Sequence, residues 1–229
     1  MDGSTDDLKI MEIRVEEKPT GEIMAGAGVG TEGTSFSFAV KENNYLGKGL
    51  GVDATINLTE ESVRGGVTLS DPNYKYTGNL VYGGLTSTRS DRPDSGYENT
   101  VINFNLGTKF EQYEDLYFTP GIDLSFDDLR VDETASSALK KQAGNFTEFN
   151  FNYGLERDKR DKSFMPTAGN IISFNQGVPI FADQASLLNR LTISQYHAFS
   201  DNVIGAVKFY AAAIVAVEDD VRISKRLHI

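Results

Sequence analysis

Apolar residues recur at every second position along most of this chain, and that period restricts the folds open to it. Ile102, Phe104 and Leu106 alternate with Asn103, Asn105 and Gly107. Phe118, Pro120, Ile122, Leu124 and Phe126 alternate with Thr119, Gly121, Asp123 and Ser125. The same alternation runs through Phe149 to Leu155 and through Val52 to Leu58. Successive side chains of an extended backbone point to opposite faces, so these segments are strands with one apolar and one polar face. A helix needs apolar residues at i, i+3, i+4 and i+7, and no long segment has them. The chain therefore reads as all-β, with neighbouring strands antiparallel because the connections are short.

Turn signals divide the chain into about eleven strands, after a short one near 8–17 and a break at Lys18-Pro19. They are expected near 21–30, 34–43, 50–59, 62–70, 76–87, 98–111, 115–129, 145–157, 169–178, 186–198 and 202–217. Short turns at 43–49, 112–114 and 200–202 alternate with long polar loops at 87–98 and 130–145, the asymmetry of a membrane barrel. The polar face is rich in Asn, Ser, Thr, Gly and Asp, which suits a wet lumen. Tyr45, Tyr74, Tyr113 and Tyr117 sit near strand ends, where an interfacial girdle would lie.

The most apolar run, Phe209 to Val217, is nine residues long, and a spanning helix needs about 20. A transmembrane barrel shows no long apolar run, because its apolar face is spread over alternate residues. Met1 to Asp7 is acidic and polar and does not read as a signal peptide. An open apolar sheet of eleven strands would leave two unpaired edges in lipid. The expected architecture is thus an antiparallel transmembrane β-barrel that is truncated, at its C-terminus and at its N-terminus.

Composition removes several functions. Cysteine is absent, which excludes disulfides and thiolate zinc sites. Acids outnumber bases 33 to 22 for a net charge of −11, the wrong sign for a nucleic-acid footprint. Two histidines, His197 and His228, leave little for a metal centre or a catalytic triad. Gly26-Ala27-Gly28-Val29-Gly30 has the spacing G-x-G-x-G, not that of a phosphate loop. It reads as a strand with one bare face, weakly specified in register. Asp127, Asp128, Asp132, Glu133, Asp158 and Asp161 lack the calcium-loop pattern and read as solvated loop carboxylates. No cofactor, metal site or catalytic group is expected.

Two connections carry more specific patterns. Ser70-Asp71-Pro72-Asn73-Tyr74 closes a hairpin whose proline ends ladder pairing and whose Asp can cap the turn. Arg157 to Gly169 joins two strands through an aromatic, a proline and a glycine. At these residues the chain resembles the BamA-type outer-membrane assembly factors, the barrel-plus-POTRA superfamily. Residues 8–19 resemble the last strand of a POTRA domain, and 20–33 the glycine-rich first barrel strand with its Gly30-Thr31-Glu32 signature. Asn44-Tyr45-Leu46-Gly47-Lys48-Gly49 resembles the family turn N-x-L-G-x-G. Asp71, Pro72 and Tyr74 match its second turn motif. Asp158, Arg160, Asp161, Phe164, Pro166, Thr167 and Gly169 match its D-x-R-D…F-P-T-x-G segment, with Met165 as a departure. Val217 to Ile229 resembles the start of a large sixth extracellular loop, whose Arg-Gly-Phe motif would lie beyond Ile229.

The resemblance implies residues 1–19 as the end of a POTRA domain and 20–229 as the first part of a barrel of about sixteen strands. It implies insertion of β-barrel proteins into the bacterial outer membrane, with no bond-making chemistry. The expected partners are unfolded outer-membrane clients, the lipoproteins of an assembly complex and the lipid bilayer. Glu22, Ile23, Met24, Ala25, Gly26, Ala27, Gly28, Val29 and Gly30 are then expected to be the client-templating edge of a lateral gate. The glycines offer no cross-strand side chain, so an incoming strand could pair there. A superfamily relative that exports passenger proteins, a soluble β-sandwich binding module and an outer-membrane enzyme are the alternatives.

Overall fold

Each strand is joined by a short connection to the next, so each pairs with its sequence neighbours, and no crossover is needed. The computed structural model describes residues 14, 16, 18–30, 33–200, 202–217 and 221–225. The strands are β1 (Gly21–Gly30), β2 (Gly33–Tyr45), β3 (Leu50–Thr59), β4 (Ser62–Asp71), β5 (Leu80–Arg92) and β6 (Tyr97–Tyr113). They continue as β7 (Leu116–Val131), β8 (Gly144–Asp158), β9 (Gly169–Ala182), β10 (Ser186–Ser200) and β11 (Val203–Ala216). All eleven form one antiparallel sheet in sequence order, with β1 and β11 at its edges.

Register carries the alternation across the whole sheet. Phe36, Phe38 and Val40 of β2 oppose Leu58, Ile56 and Ala54 of β3. Leu85, Phe104, Leu124 and Phe149 form one continuous row through β5, β6, β7 and β8. On the other face Thr86, Asn103, Ser125 and Glu148 form the parallel row. The sheet curls with this polar face inward: Arg64 of β4, Asn103 of β6, Asp123 of β7, Arg190 of β10 and Tyr210 of β11 line a single polar space.

Among the described residues no second layer covers the apolar face. Among the described residues the buried hydrophobic side chains are Leu129 and Ala135, while Phe104, Leu106, Val67 and Phe209 lie exposed on the outer face. A sandwich would bury that face against a second sheet, so the single sheet removes the sandwich reading. A curled sheet with a wet inside and an apolar outside is a barrel wall whose outer solvent is lipid. Among the described residues no helix is long and apolar enough to cross a membrane, which a strand-built wall does not need.

Three expectations need correction. β5 was expected over 76–87 and runs from Leu80 to Arg92. Tyr74–Tyr76 is a turn of 3-10 helix with Lys75 and Tyr76 at positive φ, so residues with strand propensity are held out of the strand. At its other end β5 extends because Asp91 and Arg92 pair with Glu98 and Tyr97, and Arg92 forms an ion pair with Glu61. The expected loop over 87–98 therefore shrinks to the turn at Pro93–Ser95 and Gly96. Connection lengths also fail to separate the two ends. The end bearing the short turns 46–49 and 114–115 bears the longer 72–79 and 159–168 as well. The loop over 132–143 is long and contains the short helix α1 (Ser137–Lys140). The strand expected over 8–17 lies outside the described residues, apart from 14 and 16, as do Thr31 and Glu32 of the first-strand signature.

Candidate functional site

β1 is exposed at every residue. Among the described residues it is laddered on one side, from Gly21 opposite Glu42 to Gly30 opposite Gly33. Its outward positions are Ile23, Ala25, Ala27 and Val29, and its inward ones Glu22, Met24, Gly26, Gly28 and Gly30. Gly26 and Gly28 face Ser37 and Ser35, whose hydroxyls lie 2.8 and 3.2 Å from where a glycine Cβ would stand. Several inward glycines elsewhere face larger partners, although Gly51 of β3 also faces a serine, Ser70. Asn105, Asn175 and Asn152 lie across Gly84, Gly154 and Gly177, and the Tyr82 ring lies across Gly107. Those pairs restore contact where the glycine lacks a side chain. At Gly26 and Gly28 of β1 a serine hydroxyl is all that reaches across, while Ile23, Ala25 and Ala27 oppose Val40, Phe38 and Phe36 on the outer face.

The chain enters the sheet at the end where Thr20 bonds to Glu42 and Asn43. All the motif turns lie at this same end. In the first, the Asn44 side chain accepts from the Gly49 amide at 2.7 Å, and Leu46, Gly47 and Gly49 adopt positive φ. In the second, Asp71 accepts from the Asn73 amide at 3.0 Å and Asn73 from that of Gly78 at 2.8 Å, with Pro72 exposed between Asp71 and Asn73 and Tyr74 opening the 3-10 turn. In the third, Arg160 grips Asp158 through two nitrogens, at 2.8 and 2.6 Å. Asp161 accepts from the Thr167 amide and hydroxyl at 2.9 and 2.5 Å and from the Ala168 amide at 3.1 Å. The Thr167 hydroxyl, aided by those amides, pulls the Asp161 carboxyl down to about 2. Gly169 sits at φ +91, where a Cβ would stand 2.0 Å from the Lys159 carbonyl oxygen. Pro166 is half-buried and Phe164 is exposed. These residues build turns; their polar bonds stay largely within each turn, save that Lys159 also pairs with Asp115 at 2.7 Å.

Tyr45, Tyr74, Tyr113 and Tyr117 share this end too. The first three are exposed, whereas Tyr117 lies under the Lys109 ammonium at 4.9 Å and so leaves the girdle. His197 packs edge-on against Phe199 at 4.9 Å.

A polar cluster inside the curl was not anticipated. Residues 221–225, which follow β11, return to the inner face of β7 and β8. The Arg222 guanidinium lies 3.2 Å from Asp127, 3.9 Å from Glu148 and 4.4 Å over the Phe146 ring. Lys225 pairs with Glu148, and the Ile223 amide donates to Gln142 at 2.9 Å. Asp127, Glu148 and Arg222 are buried. Asp127, expected as a solvated loop carboxylate, is an inward strand residue neutralised by a distant arginine. Asp132, by contrast, caps its own turn through the Thr134 and Ala135 amides. One polar row breaks the outer face: Tyr153 donates to Gln176 at 2.7 Å and Gln176 to Asn189 at 2.6 Å. Bonding among themselves lowers the cost of placing amides toward lipid.

Residues 44–226 match the Omp85 superfamily domain. A curated relative, the outer membrane protein assembly factor BamA of Neorickettsia risticii (strain Illinois), is 24% identical over 170 residues. That match covers 72% of this chain and 23% of the relative. The crystal structure of BamA from Haemophilus ducreyi lacking POTRA domains 1-3 superposes with a TM-score of 0.71 at 17% identity. It covers 89% of this chain and 42% of that one. The chain thus spans less than half the length of either protein, and the structural likeness carries the barrel fold.

Proposed function

We propose, from the fact that this chain belongs to the Omp85 superfamily, that it forms part of an assembly factor inserting β-barrel proteins into the membrane that holds it. It is an outer-membrane chain of the β-barrel class. Residues 1–19 would close a preceding POTRA domain, and 20–229 would begin the barrel. Its partners would be unfolded outer-membrane clients, assembly lipoproteins and the bilayer. The work is exchange of backbone hydrogen bonds, which needs no catalytic group.

The observation that supports this reading is the pairing of β1. An edge strand displays unpaired N–H and C=O groups and so templates another strand. On the side of β1 that is laddered to β2, Gly26 and Gly28 meet nothing larger than serine. Opening it from β2 or adding a strand beside it would disturb few side-chain contacts.

The chain has no cysteine, so single cysteines introduced at 22–30 give clean crosslinking sites. A stalled client with one cysteine in its terminal strand should crosslink to β1 at alternating positions in one register. Crosslinks confined to β6 to β8 would overturn the assignment of the edge.

A further inference from the structure

At the end where the chain enters, turns join β2 to β3, β4 to β5, β6 to β7, β8 to β9 and β10 to β11. Among the described residues the start of β1 is the strand end there that no turn closes. An unclosed ladder end is where a hairpin frays. Polar contacts converge on this start. The Thr20 hydroxyl donates to the Glu42 carboxylate, and the Asn43 side-chain amide donates to the Thr20 carbonyl at 3.2 Å. The Asn44 backbone amide donates to the same Glu42 oxygen at 2.7 Å.

Two features of the backbone bring these groups together. Successive side chains of a regular strand point to opposite faces, so Glu42 and Asn43 would not share a partner. The β2–β3 ladder is irregular here, with one residue more on β2 than on β3 between the pairs Glu42–Val52 and Tyr45–Leu50. Such a bulge re-aims the side chains beside it. Gly21 stands opposite Glu42, and a Cβ on it would lie 2.9 Å from Glu42 Oε2. The carboxylate thus sits where any other residue at 21 would put its side chain.

We propose that Glu42 is a positioning residue for β1. Seated over Gly21, it clasps Thr20 and keeps the open end of the β1–β2 hairpin shut, so that β1 is offered to an incoming strand from a fixed root. It acts through Thr20 and the root of β1 rather than on the client. The proposal rests on the templating role of β1 and adds what holds that strand in place. At its far end β1 is tethered covalently, two residues from β2. Between the two ends, Gly26 and Gly28 have only serine hydroxyls across them on the inner face, and a bare face specifies register weakly. The root therefore needs a fastening that the strand's inner face does not supply.

Three substitutions undo the clasp from different sides. Glu42→Ala removes the acceptor, Thr20→Val removes the hydroxyl, and Gly21→Ala fills the seat of the carboxylate. Glu42→Gln keeps the shape and an acceptor oxygen. Each is made in the reconstituted chain, and amide exchange is followed along β1. Each is then combined with single cysteines at 22–30 and a stalled client bearing one cysteine in its terminal strand. All three should speed exchange severalfold at 22–25 and lower client crosslinking there severalfold, with 27–30 little changed. Glu42→Gln should restore both. Gly21→Ala is the sharpest arm, because strand propensity alone favours alanine over glycine and would tighten the strand. Where Glu42→Ala fails to reach the folded barrel, Thr20→Val carries the test. Exchange and crosslinking at 22–25 unchanged in Thr20→Val and Gly21→Ala, with the alternating client pattern intact, would overturn the clasp and leave the templating edge standing. No client crosslink anywhere on β1, even in the unsubstituted background, would remove the templating reading and the positioning role with it.

Discussion

Inside this barrel wall, single glycines are shaped by what lies across from them. Gly107 faces Tyr82, and a Cβ there would stand 2.5 Å from the phenol oxygen and 2.6 Å from the ring carbon bearing it. Gly121, its partner on the other side, has the Leu106 carbonyl 3.0 Å from its own Cβ position. Gly107→Ala should therefore push the Tyr82 ring out of place and cost about 1–3 kcal/mol, the usual cost of overpacking. The denaturant midpoint of the reconstituted chain measures it. Tyr82→Ala in the same chain should recover part of the loss, because contacting residues couple. A loss unchanged by Tyr82→Ala would show that the strain lies in the backbone. The glycine count hinted at bare strand faces, but which side chain lies over which glycine follows from register between strands, and that was not legible in the sequence.

At the scale of elements, the strands were legible because each is long enough to repeat its alternation several times, and register then follows from short turns. What misled the reading was turn chemistry. Tyr74-Lys75-Tyr76 carries two strand-forming tyrosines, and yet Lys75 and Tyr76 sit at positive φ, which no propensity reveals. The β8–β9 connection shows the reverse case: its Asp, Arg, Pro and Gly pattern announced a built loop. Asp161 is its keystone, accepting from Thr167 and Ala168. Its carboxyl titrates near 2 when folded, below the ordinary 3.8. A depressed folded value means a stabilising contribution that is complete above the ordinary value and is lost as pH falls toward the folded one. The Thr167 and Ala168 amides should keep their hydrogen-exchange protection at pH 5 and lose it progressively between pH 3.8 and about 2. In Asp161→Ala they should be unprotected throughout, with no such pH dependence. A wild-type loop whose protection is flat down to pH 2 would remove Asp161 from this role.

Across the whole molecule the sheet is tied down at β7 and β8 and has its run of inward glycines, Gly26, Gly28 and Gly30, at β1. β6, β7 and β8 are the longest strands, at 17, 16 and 15 residues, the last shared with β10. The strap at 221–225 is fastened across β7 and β8, while β1 has one ladder among the described residues and only Ser37 and Ser35 across Gly26 and Gly28. No sequence pattern could show the strap, because Arg222 follows β11 and reaches Asp127 of β7 and Glu148 of β8, three to four strands away. Its logic is electrostatic. Two inward carboxylates are buried, and burial without a counter-charge is costly, so the arginine and Lys225 neutralise them. Removing one partner of a buried pair commonly costs about 3–5 kcal/mol, because the other charge is left uncompensated. Arg222→Ala should therefore free the strap rather than merely loosen it, even though Lys225 still reaches Glu148. Because the chain lacks cysteine, Ile223→Cys reports this directly through its rate of labelling by a polar maleimide. Labelling should be slow with Arg222 in place, many-fold faster in Arg222→Ala, and intermediate in Arg222→Lys, which keeps the charge but loses the two-armed geometry. Equal rates in all three would mean that the backbone bond from Ile223 to Gln142, not the ion pairs, holds the strap. The β1 crosslinking pattern should stay the same in Arg222→Ala, since the strap grips β7 and β8, five strands or more away from the edge that would open.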